Sequence, residues 1–263
     1  MNDIYLNDIT KINWESGEAE EGYTPRSWPS ISDKSWKGHF DGNNYTIYGL
    51  YYHNPEDSYY DTVNKLNRIG ESKQEYINNR GCALFPQLVS NYNTFAKETR
   101  ISNLRLDYCH ITSHSTAGAI IAYNIWARFE INNCVIEENV YLTANTVGDI
   151  GTYGNGKATI TNCYSLAKRN TLSTEIYNTT TETYSIRDGR KTFVLAHHWV
   201  ASTRDGMSNK LIIKNCYSLN NKICITLAVG TEENCYCTES GGTAGIVIAK
   251  EDMTGINALE KMP

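Results

Sequence analysis

Apolar residues recur along the chain in a four-residue pattern, apolar at the first and fourth positions and glycine or asparagine at the third. The pattern occurs, with a weaker last copy, at Ile47-Tyr-Gly-Leu50, Ile101-Ser-Asn-Leu104, Ile131-Asn-Asn-Cys134, Ile160-Thr-Asn-Cys163, Ile213-Lys-Asn-Cys216 and Glu232-Glu-Asn-Cys235. In a straight strand, positions i and i+3 point to opposite faces, so both enter one core only where the chain bends between them. A self-similar unit at intervals of a few tens of residues is typical of repeat architectures.

The third position of the pattern supplies the bend. Glycine and asparagine are the residue types that most readily adopt the left-handed backbone. We therefore predict one structural column of corners, formed by Gly49, Asn103, Asn133, Asn162, Asn215 and Asn234. After each corner an alternating pattern resumes, as in Leu104 and Leu106, so each unit predicts a strand, a corner and a second strand.

Units that bend in the same sense each time stack in register instead of folding back as hairpins. This favours an all-β parallel β-solenoid, in which neighbouring strands lie roughly 4.8 Å apart. Asparagine side chains of one column would then hydrogen-bond to each other along the stack.

The run Phe40-Asp-Gly-Asn-Asn-Tyr-Thr-Ile-Tyr-Gly-Leu50 resembles the opening repeat of the GLUG-type proteins, whose pattern is Phe-Asp-Gly-Asn-Gly-His-Thr-Ile-x-Gly-Leu. Asp3-Ile-Tyr-Leu-Asn7 and Trp28-Pro-Ser-Ile31 resemble the elements that precede this repeat, and Glu233-Asn-Cys-Tyr236 resembles a late repeat. The resemblance implies a right-handed parallel β-helix within large secreted or cell-surface bacterial proteins, some of them adhesin-like. It brings no catalytic residues with it.

We predict a single β-helix domain over residues 1–263, because no linker interrupts the repeats. Residues 1–35 would form an opening strand and a cap, 36–249 the coils, and 250–263 an exit segment with a short C-terminal helical cap. Two intervals between corners are much longer than the others, which predicts inserted loops near 53–80 and 167–190. The second of these could instead be a degenerate coil. A start almost inside a strand favours a monomeric fragment of a larger chain.

Charge excludes two classes of partner. The net charge is −5, and lysine and arginine are scattered, whereas nucleic acids and anionic membranes require a basic face. No apolar run is long enough for a membrane-spanning helix, so we expect no membrane insertion. No signal peptide is recognised, and the extracellular or cell-surface location that we expect follows from the family resemblance.

Most of the eight cysteines are predicted to be free and buried. Cys134, Cys163, Cys216 and Cys235 fall in one inward column, where cysteine behaves as a small hydrophobic residue. Stacked cysteines rarely have the Cβ directions that a disulfide requires. The spacing also lacks the Cys-x-x-Cys pair and histidine partners of a zinc site, so we expect no metal and no cofactor.

No catalytic residues are predicted. A glycosidase needs two carboxylates facing one groove, and the acidic runs of pectin-cleaving β-helix enzymes are absent. Asp149 lies in a strand beside glycines, where it could face outward, and no sequence pattern shows a partner for it. His197 and His198 are adjacent in a strand, so they point to opposite faces and cannot act together. A β-helix glycoside hydrolase or polysaccharide lyase therefore stays the least favoured alternative.

Nineteen tyrosines give the strongest hint of binding, although tyrosine also fills exposed sheet faces without any ligand. The binding candidates lie in the two predicted insertions: Tyr59, Tyr60, Tyr76, Tyr177 and Tyr184. We expect a non-catalytic module that acts as a rigid spacer and presents a ligand, with a glycan or a host or cell-surface protein as partner. The alternative is a carbohydrate-binding accessory module of a polysaccharide-degrading enzyme.

Overall fold

The computed structural model describes residues 2–29, 36–54, 82–89, 99–113, 116–151, 154–178, 183–187, 189–194, 210–219, 230–238 and 246–247. Over these residues the chain is all-β, without a helix. The exit segment 250–263, with its predicted helical cap, lies outside them. In chain order the strands are β1 (Ile4–Tyr5), β2 (His39–Asp41), β3 (Thr46–Tyr48), β4 (Tyr51–Asn54), β5 (Phe85–Val89), β6 (Thr99–Asp107), β7 (Cys109–Ser113), β8 (Thr116–Gly118), β9 (Ile121–Ile136), β10 (Val140–Ala144), β11 (Thr146–Gly151), β12 (Gly154–Thr161), β13 (Tyr164–Ser165), β14 (Lys168–Thr171), β15 (Thr174–Asn178), β16 (Thr183–Arg187), β17 (Arg190–Val194), β18 (Lys210–Lys214), β19 (Tyr217–Ser218), β20 (Gly230–Glu233), β21 (Tyr236–Cys237) and β22 (Ile246–Val247).

Parallel pairing between repeat units builds the two main sheets. A large sheet follows the order β1-β3-β6-β9-β13-β19-β21-β22, with further strands beside this path, and a four-stranded sheet has the order β14-β10-β7-β4. The units are in register, since Ile101 pairs with Ile131, Ile131 with Ile160, and Ile160 with Ile213. Among the described strands, only β15 and β16 pair with each other in antiparallel fashion.

The five corner asparagines all have a left-handed backbone. Their φ angles lie between 52° and 55°. Their side chains bond from one unit to the next: Asn133 Nδ2 donates to Asn103 Oδ1 at 2.8 Å, and Asn215 Nδ2 donates to Asn162 Oδ1 at 3.0 Å. We call this series of side-chain bonds the asparagine ladder. At one step the ladder shifts by one residue, because Asn162 Nδ2 donates to Asn132 Oδ1 and not to Asn133.

Gly49 is also left-handed, with φ at 80°, but it does not belong to this column. Tyr48 pairs with Asp107, and the Gly49 amide donates to the carbonyl of Tyr108, which places Gly49 at the next corner of the unit. Tyr108 itself has φ at 48°. The prediction of one six-member column was therefore wrong at its first member.

The first rung of the asparagine column is instead the turn that follows Phe40. Phe40 pairs with Ile101, and Asp41 Oδ1 accepts a hydrogen bond from Asn103 Nδ2 at 3.0 Å. Gly42 is required here because a Cβ would lie 2.4 Å from the carbonyl oxygen of Asn103. The Asp-Gly-Asn-Asn run thus closes over the end of the ladder.

The core lies between the sheets and consists of stacked inward columns. Ile101, Ile131, Ile160 and Ile213 form one of them, each at most 1% exposed. A second holds Leu104, Cys134, Cys163, Cys216 and Cys235. The seven described cysteines are free and buried, as predicted for the column. Burial raises the pKa of Cys163 well above its usual value, so this thiol stays protonated and inert.

A buried ion pair interrupts the apolar core. Arg169 stands in the inward column of Ile111 and Leu142, and its guanidinium makes a two-pronged contact with both carboxylate oxygens of Asp149. The Asp149 side chain is fully buried, so it does not face outward, and Arg169 is the partner that no sequence pattern showed. Burial raises the pKa of Asp149, and the charge of Arg169 opposes this rise.

The second predicted insertion is shorter than 167–190. Lys168–Thr171 is a regular strand of the four-stranded sheet, and Arg190–Val194 pairs with β11. Between them, Thr174–Asn178 and Thr183–Arg187 form the antiparallel pair. This interval therefore contains both an antiparallel strand pair and a strand that pairs in parallel with β11.

Candidate functional site

The tyrosines predicted to bind a ligand do not assemble into one described site. Tyr59, Tyr60 and Tyr76 lie outside the residues that the structure describes, as do His197 and His198. Tyr177 and Tyr184 are directly opposite each other in the β15–β16 hairpin. Their pairing is compatible with either a structural or a binding role.

An open cleft of about 620 Å³ lies where the first strand and the following loop meet. Its volume falls within the roughly 300–1,000 Å³ of small-molecule sites. The lining residues are Tyr5, Leu6, Asn7, Asp8, Ile9, Tyr23, Thr24 and Arg26. We call this feature the N-terminal cleft.

One wall of the cleft is an exposed aromatic ring. Tyr5 lies in β1, which pairs only with β3 among the described strands and is the first strand in the order of the large sheet. Its side chain is 61% exposed and stacks on Tyr48, with the ring centroids 4.8 Å apart. One face of Tyr5 is thus held by a neighbour, and the ring keeps a large solvent-exposed area.

Asn7 fixes the position of another part of the lining. Its Oδ1 accepts a hydrogen bond from the Arg26 amide at 2.7 Å, and its Nδ2 donates to the carbonyls of Arg26 and Gly49 at 3.0 and 2.8 Å. The hydroxyl of Tyr23 accepts a bond from the Asp8 amide at 3.0 Å and donates to Asn7 Oδ1 at 3.3 Å. Because Asn7 is buried and bonded on both sides, the loop around residues 23–26 has a defined position.

The cleft contains charges of both signs. The carboxylate of Asp8 is bonded by the Thr10 hydroxyl at 2.7 Å and the Thr10 amide at 3.0 Å, and these bonds lower the pKa of Asp8. Asp8 is therefore ionised at neutral pH. Arg26 is exposed, and its guanidinium forms no hydrogen bond or ion pair with any residue in the described ranges.

For the N-terminal segment the sequence predicts an opening strand and a cap, and no residue pattern there marks a cleft. Tyr5 is exposed because, among the described strands, β1 has a neighbour on one side only. No residue pattern in the sequence shows this edge position. The role of Asn7 depends on Gly49, forty-two positions away. Only the Asp3–Asn7 run, already singled out for its family resemblance, marked this region.

A second polar cluster lies where the N-terminal segment covers the four-stranded sheet. His110 Nδ1 donates to the carbonyl of Trp14 at 2.9 Å, which leaves Nε2 as an acceptor for the Thr112 hydroxyl at 2.8 Å. His53 Nδ1 lies 3.0 Å from the same Nε2. Gly17 packs so closely against His110 that a Cβ at position 17 would be 2.3 Å from His110 Nε2.

The imidazole of His110 is held in its neutral form. Only 3% of the side chain is exposed, and burial lowers the pKa of His110 to about 4, with the nearby His53 acting in the same direction. The bond to the Trp14 carbonyl works against this shift. The unfolded chain, with a pKa near 6.5, therefore binds a proton at this residue before the folded protein does.

We expect the stability of the protein to fall as pH decreases from about 6.5 to about 4. Because the unfolded state binds the extra proton in this window, His110 adds a slope of up to about 1.4 kcal/mol per pH unit to the free energy of unfolding. Urea unfolding at intervals across this range measures that slope. The free energy of unfolding should depend less steeply on pH in His110→Gln. The variant His39→Gln, which changes an exposed histidine, should have the same slope as the wild type. Equal slopes in all three proteins would exclude His110 as the source.

No group of three or more histidine, cysteine or acidic side chains within the described ranges could hold a metal ion. The same part of the chain contains no helix long and apolar enough to cross a membrane. Comparison with family models, curated proteins and solved structures finds no match to this chain.

Proposed function

We propose that this chain is a non-catalytic module of a bacterial extracellular surface protein, a rigid spacer that presents a glycan-binding cleft. We further propose that it is a single right-handed parallel β-helix of the GLUG type. The in-register parallel pairing and the asparagine ladder support this architecture. Right-handedness rests on the strong preference of parallel crossovers for that hand.

The observation that carries the binding proposal is the exposed Tyr5 ring beside hydrogen-bonding groups in the N-terminal cleft. Sugar rings have apolar faces that pack on aromatic rings, and their hydroxyls need both donors and acceptors. Here Arg26 and Thr24 can donate, and the carboxylate of Asp8 can accept. A protein partner would require a larger surface than this cleft offers, since stable interfaces bury roughly 800 Å² on each side.

Replacing Tyr5 by alanine should lower the affinity for the glycan at least about tenfold, which corresponds to about 1.4 kcal/mol of binding free energy. The stacking surface is lost, while a side chain that is 61% exposed contributes little to the fold. A glycan array identifies the ligand, and calorimetric titration then compares wild type with Tyr5→Ala.

The matched control is Tyr141→Ala, which removes a tyrosine from the four-stranded sheet, away from the cleft. It should bind like the wild type. Equal losses in both variants would point to a general effect on the fold. Full affinity in Tyr5→Ala would place the binding site elsewhere and remove the cleft from the proposal.

A further inference from the structure

We infer that the ligand of the N-terminal cleft is an acidic glycan, one that carries a carboxylate or sulfate group, and that Arg26 binds its anionic oxygens. This inference rests on the proposed glycan-binding function and adds to it the chemical class of the ligand. It assigns the charge-recognising role to one residue, which makes it testable separately from the stacking role of Tyr5.

The backbone of Arg26 is held in place by Asn7. Both of its backbone polar groups are bonded by the side chain of Asn7, the amide at 2.7 Å and the carbonyl at 3.0 Å. Asn7 is buried and is itself anchored to the carbonyl of Gly49 at 2.8 Å. A fixed backbone reduces the conformational entropy that is lost when the side chain binds a ligand.

The guanidinium of Arg26 has no internal partner in the described part of the chain. Three other exposed cations are paired: Lys11 with Glu20 at 2.7 Å, Arg105 with Glu137 at 2.8 Å, and Lys214 with Glu233 at 2.6 Å. Asp8 lines the same cleft, but its carboxylate is bonded by Thr10 and forms no ion pair with Arg26. Arg26 therefore presents its planar donors to the cleft.

The donors of Arg26 match the oxygens of an acidic sugar. A guanidinium binds the two oxygens of a carboxylate, or of a sulfate, through parallel hydrogen bonds. With the anionic group at Arg26, the ring can lie on Tyr5. The carboxylate of Asp8 then accepts bonds from hydroxyls and repels a second anionic group placed near it. The arrangement favours sugars with one acidic group at the ring edge.

The test uses pairs of oligosaccharides in which only the acidic group is esterified or removed. The pairs are galacturonate oligomers and their methyl esters, sialyllactose and the methyl ester of its sialic acid, and sulfated carrageenan oligomers with their desulfated forms. Each is titrated into wild type, Arg26→Met, Arg26→Lys, Tyr5→Ala and Lys214→Met. The last variant removes one positive charge from an exposed ion pair on β18, where such pairs contribute little to stability.

We expect the acidic member of at least one pair to bind at least about tenfold more tightly than its neutral counterpart. Arg26→Met should abolish this difference, Arg26→Lys should restore part of it, and Lys214→Met should leave it unchanged. The preference should also weaken as salt rises, because the site is open to solvent. Whether the carboxylate or the sulfate pair shows the preference identifies the group.

Two results would overturn the inference in different ways. If acidic and neutral members bind equally and Tyr5→Ala weakens both, the glycan-binding cleft stands and the charge selectivity fails. If no oligosaccharide in the panel binds in a manner that depends on Tyr5, the proposed function fails together with the inference. A preference for acidic sugars that survives Arg26→Met would assign the charge recognition to another residue.

Discussion

Replacing Arg169 by methionine is expected to destabilise the protein by about 3–5 kcal/mol, the usual cost of breaking a buried ion pair from one side. The carboxylate of Asp149 would lose the contact to both of its oxygens in a fully buried position. The carbonyl of Leu219 would also lose the hydrogen bond that Arg169 Nη1 donates at 2.9 Å. Ser165 Oγ would lose the hydrogen bond that Arg169 Nη2 donates at 3.1 Å. Urea unfolding at neutral pH gives the loss directly.

The double variant Asp149→Leu with Arg169→Met should recover most of this loss. Both charges are then absent, and apolar side chains of similar volume often replace a buried ion pair without cost. The loss in Arg169→Met should also be larger at pH 8 than at pH 5. Burial already raises the pKa of Asp149, and the loss of the arginine removes the charge that opposes this rise. Protonating the buried carboxylate then costs less free energy at pH 5 than at pH 8, because the unfolded chain has an aspartate pKa of about 3.9.

Lost packing would give a different pattern from a lost charge. If Arg169→Met were equally unstable at both pH values and the double variant were no better than the single one, the volume of the arginine side chain would be the main contribution. If the single variant lost less than about 1 kcal/mol, water would have to reach Asp149, and the pair could not be buried as the structure places it.

The all-β, parallel character of the chain follows from local rules that the sequence displays. An apolar residue, a residue suited to a left-handed backbone and another apolar residue mark a corner wherever they occur. The same solution, however, is also used at a second corner, where Gly49 and Tyr108 have left-handed backbones. Ile101 and Leu104 flank the asparagine corner, whereas Ile47 and Leu50 flank the following one, and all four side chains are buried. The pattern therefore identifies a corner but not which corner it is.

The polar features depend on contacts that join distant parts of the chain. His53, His110 and Trp14 meet only because β4 and β7 are neighbours and the N-terminal segment lies over them. Asp149 and Arg169 face each other across the core from different sheets. Neither the histidine cluster nor the ion pair has a characteristic sequence spacing or composition. These contacts can therefore be identified only when the strand register is known.

Replacing Asn162 by valine is expected to cost about 3–4 kcal/mol, because two separate contributions are lost together. The backbone has φ at 55°, a conformation that costs roughly 1–2 kcal/mol for most residues and is especially unfavourable for a β-branched one. The side chain also donates to Asn132 at 3.0 Å and accepts from Asn215 at 3.0 Å, and each such bond contributes about 1 kcal/mol. Denaturant unfolding of the purified variant measures the sum.

The variant Asn162→Gly separates the two contributions, since glycine adopts the left-handed backbone without strain and has no side chain for the ladder. It should lose about 2 kcal/mol, close to the value of the two side-chain bonds. If glycine were as stable as asparagine, the ladder would contribute nothing and the asparagines would serve only the bend. If glycine were as damaging as valine, the ladder would hold the stacked units together and the backbone preference would be secondary. The intermediate result that we expect means that asparagine is suited to these corners because it serves both purposes with one residue.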